Sequence, residues 1–152
     1  MDVEIIPGSL YAKISDKLLK KIDTSKLPLF GEKEIYKRSA DRYGKVKIKL
    51  DVENDLDIIK EINEYNYHDN LNNLMRNHYT YKWEVDEEKL PKEYEQYIKP
   101  EISNFIKILS VFNNGNAKIL RFSIVDGDFK DSERPAHMLA TIFALIDLFD
   151  QM

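Results

Sequence analysis

Four carboxylates fall within eight residues at Asp126-Gly127-Asp128-Phe129-Lys130-Asp131-Ser132-Glu133. Hard cations take oxygen ligands, and a calcium loop opens with acids at its first and third positions. That loop also needs a glycine at its sixth position and a bidentate glutamate at its twelfth, and this chain places Asp131 and His137 there. No metal site is expected. The simpler reading is an acidic turn feeding a helix N-terminus, where negative charge is favoured. Exposed, the same Asp126, Asp128, Asp131 and Glu133 are the candidates for docking a basic partner.

His68 and Asp69 could pair a general base with an orienting carboxylate, with His78 or His137 recruited from elsewhere in the fold. No nucleophile lies near them in sequence, and the three histidines form neither HExxH nor an i, i+4 metal pair. The plainer expectation puts His68 and Asp69 in a polar break between helices. Glycines at 8, 31, 44, 115 and 127 make neither GxGxxG nor GxxxxGK[ST], and there is no GxSxG elbow. The absence of cysteine excludes disulfides, thiol nucleophiles and zinc ribbons. No catalytic residue and no cofactor is assigned, so an enzyme remains only as one without a recognisable motif.

Tyr36, Arg38, Arg42, Tyr43, Lys45, Lys47 and Lys49 interleave cations with aromatic rings. Single-stranded nucleic acid is bound that way, with charges tracking phosphates and rings stacking on bases. Asp41, Asp51 and Glu53 dilute the patch, and a solvated strand face is the competing explanation. Net charge is −4, unevenly placed: residues 1–50 carry twelve Lys and Arg against seven Asp and Glu, and residues 51–152 carry eleven against twenty. Such a split favours a basic protein partner over nucleic acid. The acidic surface is expected from residues 84–101 and 126–133. A small acidic binding protein, of the kind that neutralises a toxin or other effector, fits that profile, with single-stranded nucleic-acid binding as the alternative.

The elements that must position these residues are read from periodicity. Lys45 to Glu53 alternates Val46, Ile48, Leu50 and Val52 with charged residues, the signature of a half-buried strand. Glu34 to Arg38 is expected to pair with it antiparallel through a turn at Asp41 to Gly44. Tyr79, Tyr81, Trp83 and Val85 give a second amphipathic strand, its aromatic row facing the core. Ala117 to Val125, apolar on both parities, gives a central one. Val3 to Ile6 and Leu10 to Ile14 are short strand candidates, and Thr24 to Gly31 is expected as loop.

Helices are expected after Ser15, after Asn54, from Pro91 and Pro100, and from Ser132 or Asp131 to Phe149. The stripes Leu56/Ile59/Ile62 and Leu71/Leu74/Met75 are out of phase on one straight helix, so a break is expected within Asn66 to Asn70. The last helix is apolar nearly all round, which implies either deep burial or a homodimer surface at 136–150. No run is long enough to span a membrane and no secretory leader is recognised, so the chain reads as cytosolic. The expected fold is α+β: one domain over 1–152, with a mixed or mainly antiparallel sheet of four to six strands and helices mainly on one face.

Overall fold

A strand with one apolar and one charged parity needs a helical layer on its apolar side only. The computed structural model, which describes residues 11–68, 78–113 and 118–152, is built that way. In chain order it contains α1 (Ser15–Leu19), β1 (Leu29–Lys37), β2 (Arg42–Val52), α2 (Leu56–His68) and β3 (Tyr79–Trp83). These are followed by α3 (Glu95–Phe112), β4 (Leu120–Asp128), β5 (Arg134–Pro135) and α4 (His137–Asp150). The α+β sheet is mixed, with strand order β1-β2-β4-β3, and β5 pairs with β2. β1–β2 and β2–β4 are antiparallel. β3–β4 is parallel, which requires a crossover, and α3 supplies it.

Val46, Ile48 and Leu50 of β2 and Leu120, Phe122 and Ile124 of β4 are fully buried beneath the helices. Ile98, Ile102, Phe105 and Leu109 of α3 meet them, as do Ala140, Ala144, Leu145 and Leu148 of α4. The Phe105 ring stands edge-on to Phe122 at 6.0 Å and to Phe149 at 5.0 Å. Tyr79 is buried and Tyr81 and Trp83 are partly so, so the β3 aromatic row does face the core.

Helix α4 lies across the hairpin at two glycines. A Cβ on Gly31 would stand 2.0 Å from the Ala144 carbonyl oxygen and 2.7 Å from Leu148 Cβ, and one on Gly44 would stand 2.7 Å from the His137 nitrogen. Both contacts are with helix backbone, which cannot swing aside as a flexible side chain can. The helix therefore commits its apolar side chains to the core, and Met138 is the large one left well exposed, at 50%. Burial accounts for most of its apolar composition, with Leu139, Phe143 and Ile146 only partly buried.

Several local expectations change. Of the strand candidate at Leu10 to Ile14, the described part, Tyr11–Ile14, is a 3₁₀ turn, with Tyr11 and Ile14 buried. α1 begins at Ser15 itself, with Ile14 at the N-cap position. β1 starts at Leu29, so Gly31 belongs to a strand, where it serves close approach and not a turn. Asp55, not Asn54, caps α2, its Oδ1 accepting from the Asp57 and Ile58 amides. Pro100 lies inside α3 rather than at its start. α4 opens at His137 without a side-chain cap, and Asp131 and Ser132 precede β5. α2 continues to His68, so the expected break and the second apolar stripe fall at or beyond the limit of the described residues, as does the strand expected at Val3 to Ile6.

Replacing Gly31 with alanine must push α4 off the hairpin, and overpacking of this kind costs about 2 kcal/mol or more. A melting curve of Gly31→Ala is expected to fall by roughly 4–8 °C, whereas Ser39→Ala in the exposed hairpin turn should leave it within about 1–2 °C.

Candidate functional site

The face of the sheet turned away from the helices is a ladder of opposite charges. On β2, Tyr43, Lys45, Lys47 and Lys49 stand in a row, and β1 sets Tyr36, Glu34, Glu32 and Phe30 directly against them. Lys45 Nζ lies 3.0 Å from Glu32 Oε1, and Lys49 Nζ lies 3.6 Å from Asp51 Oδ2. Lys47 Nζ sits over the Phe30 ring at 5.1 Å. Arg42 begins β2 opposite Lys37 and Arg134.

On the other flank, a bulge decides where Asp126 and Asp128 point. Leu120, Phe122 and Ile124 face the core on even numbers, and unbroken alternation would send residues 126 and 128 there too. Ile48 pairs with Ile124 while Lys47 pairs with Asp126, so Val125 is the extra residue. One inserted residue reverses the parity. Asp126 and Asp128 turn outward beside Lys47 and Lys45, and Gly127 turns inward against Leu90.

Both aspartates are engaged there. Asp126 accepts the Gly127 amide and lies 3.7 Å from Lys89 Nζ. Asp128 accepts the Phe129 amide at 2.8 Å, and its other oxygen is 3.2 Å from the Tyr43 hydroxyl. The same hydroxyl is 2.8 Å from Glu34 Oε2, so one phenolic proton lies between two carboxylates. Burial first, then the Glu34 hydrogen bond and the negative charges, hold the Tyr43 phenol well above its ordinary value. Lys130 Nζ covers the pair of rings, 4.5 Å from Tyr36 and 4.7 Å from Tyr43, and Arg38 flanks Tyr36 at 5.3 Å. Tyr43 is only 4% exposed. Of the two rings expected to stack on bases, Tyr36 alone is accessible.

The far end of this face is closed by a buried ion pair. Arg121 Nη1 meets Glu53 Oε2 at 2.8 Å and Asn54 Oδ1 at 3.3 Å, while Thr80 Oγ1 donates to Glu53 Oε1 at 2.9 Å. Glu53, expected on a wet strand face, is buried. The second face of β4 is thus covered by polar side chains and not by an apolar layer.

The two acidic segments 84–101 and 126–133 meet at the opposite end. Val85 and Leu90 are buried anchors, and Leu90 fills the space over Gly127. The Tyr94 ring packs 5.3 Å from Phe129 and 4.7 Å from His137. Its phenol is raised by burial and then by Glu93 and Asp131, one acid from each segment. Asp86, Glu87, Glu88, Glu93 and Asp131 are exposed, as are Lys89, Lys92, Lys99 and Lys130 among them. Glu95 is occupied with the Tyr81 hydroxyl at 2.5 Å, Glu84 reaches Arg121, and Glu101 is buried in the core. Glu133 is half-buried, with one carboxylate oxygen fully enclosed. Of the four acids expected to dock a partner, Asp131 stands most clearly in the exposed cluster. Beside it, Lys92, Glu93, Glu95, Gln96, Lys99, Pro100 and Ser103 line an open groove of about 630 Å³.

His137 lies under this end and is fully buried. Its Nε2 is 2.8 Å from the Asp128 carbonyl, which can only accept, so Nε2 carries the proton. Nδ1 is buried with no hydrogen-bond partner. Burial is the main influence and holds the imidazole below its ordinary value, against the smaller pull of Asp128. His78 adjoins Leu120 at the start of β4, whereas His137 meets its end, so the two do not converge. The His68 side chain and Asp69 lie outside the described residues. Among the described residues no three His, Asp or Glu side chains gather as a metal site, and no helix is long and apolar enough to cross a membrane. No protein-family model matches the chain, and no curated protein matches its sequence.

The buried neutral histidine gives a pH signature. Its folded value is lowered, so its stabilising contribution is complete above the unfolded value of about 6.5 and is lost as pH falls below that. Stability is expected to drop as pH falls below about 6.5, with a slope of at most about 1.4 kcal/mol per pH unit from this residue. Urea titrations of His137→Gln, which can still donate to the Asp128 carbonyl, should show a shallower slope; an unchanged slope would assign the acid sensitivity elsewhere.

Proposed function

We propose that this protein is a protein-binding module that docks a basic surface of another protein against its acidic end. The observation that carries the reading is that Glu93 and Asp131, one acid from each segment, meet at the packing of Tyr94 with Phe129 and His137, with Asp86, Glu87 and Glu88 exposed in the first of those segments. The lysines of β2 are interleaved with acids along the sheet, and at this end the exposed Asp86, Glu87, Glu88, Glu93 and Asp131 outnumber the exposed Lys89, Lys92, Lys99 and Lys130 by one. A steering field of one sign raises the encounter rate with an oppositely charged partner. Neutralising a basic effector, in the manner of an immunity protein or antitoxin, is the biological role that such a surface suits. Nucleic-acid binding on the hairpin is less favoured, because Tyr43 is buried and Lys130 would have to leave before a base could stack.

Recovery of the native partner by cross-linking, followed by binding kinetics, tests the reading. Reversal of Asp86, Glu88, Glu93 and Asp131 to lysine is expected to slow association by about tenfold or more at low salt and to flatten its salt dependence, with little change in dissociation. A folded variant that associates at the wild-type rate would remove the acidic end from the interface.

A further inference from the structure

The lysines of β2 are matched by acids along the sheet, but a second group of lysines earlier in the chain is not. Helix α1 ends at Leu19, and Lys20 leaves it with extended backbone. Ile22 is buried in the core, and Asp23 caps a 3₁₀ turn over Thr24–Lys26. Asn113 Nδ2 donates to the Lys20 carbonyl at 2.6 Å and ties this bend to the end of α3. The backbone is thus held on both sides of Ile22, and that fixes where Lys20, Lys21 and Lys26 leave it. All three line a pocket of about 240 Å³, together with Asp23, Leu29 and Met152. It lies beyond the last turn of α4, at the other end of that helix from His137 and the acidic segments.

Positive charge is in excess here. Lys20, Lys21 and Lys26 are exposed, and none of the ion pairs among the described residues involves them. Asp23 Oδ1 accepts from the Ser25 hydroxyl at 2.6 Å and the Ser25 amide at 3.0 Å. Those two bonds hold its carboxyl below the ordinary value, and the charge of Lys26 is the smallest influence on it. Lys17 Nζ donates to the Met152 carbonyl oxygen. Even with a carboxylate on Met152 counted against them, four ammonium groups meet two acids. Each ammonium is a point charge with three donors and no acceptor, so one anion with several oxygens can take donors from all of them. The volume is below the roughly 300–1,000 Å³ of a drug-sized pocket. It equals about eight waters at about 30 Å³ each, which is room for a phosphate group on a short carbon stem.

We propose that this pocket binds a phosphomonoester group, with its oxygens among Lys20, Lys21 and Lys26 and its carbon stem against Leu29 and Met152. A small sugar or polyol phosphate and a phosphorylated lipid headgroup both present that group, and the pocket reads the chemistry they share. A monocarboxylate fits less well, because one charge on two oxygens leaves part of the positive excess unanswered. The site is separate from the acidic docking end and does not depend on it.

The test follows amide shifts of the isotopically labelled protein at low salt and about pH 7.5, above the second phosphate ionisation at about 6. Inorganic phosphate and glycerol phosphate are titrated against sodium chloride of equal ionic strength. Saturable shifts confined to Lys20 to Leu29 and Met152 are expected from both phosphates. Lys20→Gln/Lys26→Gln, which changes only exposed side chains, should weaken binding by about fivefold or more, and Lys45→Gln/Lys49→Gln on the sheet face should leave it unchanged. Cosedimentation with phosphatidylcholine vesicles that carry a phosphoinositide, lost in the Lys20→Gln/Lys26→Gln protein, would assign the group to a lipid headgroup. Saturation by glycerol phosphate without cosedimentation would assign it to a small soluble ester. Shifts that grow without saturating, spread over the lysines of β2 or equal those of sodium chloride would overturn the proposal. So would undiminished phosphate binding by the Lys20→Gln/Lys26→Gln protein.

Discussion

Helix α4 can lie on the hairpin only because two of the residues beneath it have no side chain. Gly31 meets its carbonyl at Ala144 and Gly44 meets its first amide, so the helix backbone rests directly on strand backbone at both ends of the crossing. The depth of that contact governs the surfaces at either end of the helix. At the first end, it presses His137 under Tyr94 and the Asp128 carbonyl and so fixes where the two acidic segments meet. At the second, it carries Asp147 and Gln151 out to the edge of β1. One helix thereby shapes the surface at each of its ends.

Charge is arranged by pairing more than by composition. The basic first third of the chain and the acidic remainder are brought side by side when β2 is placed between β1 and β4, and the bulge at Val125 delivers Asp126 and Asp128 to the lysine row. Exposed pairs of this kind contribute little to stability, commonly less than about 1 kcal/mol each. Their larger consequence is the shape of the field: the open sheet face is mixed, and the exposed acids of the 84–94 segment and Asp131 are interspersed with the exposed Lys89, Lys92 and Lys130.

Much of the framework was legible because it rests on local periodicity. The alternation from Lys45 to Val52, the β3 aromatic row and the apolar parity of Leu120, Phe122 and Ile124 each reflect a side chain changing face at every residue. What was not legible depends on contacts distant in sequence. Gly31 reads as a loop residue until a helix more than a hundred residues later lies on it. Asp126 and Asp128 share the parity of the core residues before them, and only the register against β2 reveals the bulge. Tyr43 shares the parity of the half-buried Lys45, Lys47 and Lys49, yet Glu34, Asp128 and Lys130 enclose it. The acidic segments 84–101 and 126–133 could each be named, but their meeting depends on Leu90 finding Gly127 and Tyr94 finding Phe129. β5, two residues long, has no periodicity to detect.

The central claim is that the acidic end, and not the lysine-bearing sheet face, meets the partner. Site-specific photo-crosslinking in the native host tests it most directly, with the reactive side chain placed in turn at Glu88 and at Lys47. A discrete adduct with a basic protein is expected from position 88 and none from position 47. An adduct with nucleic acid or protein from position 47, with none from position 88, would contradict it.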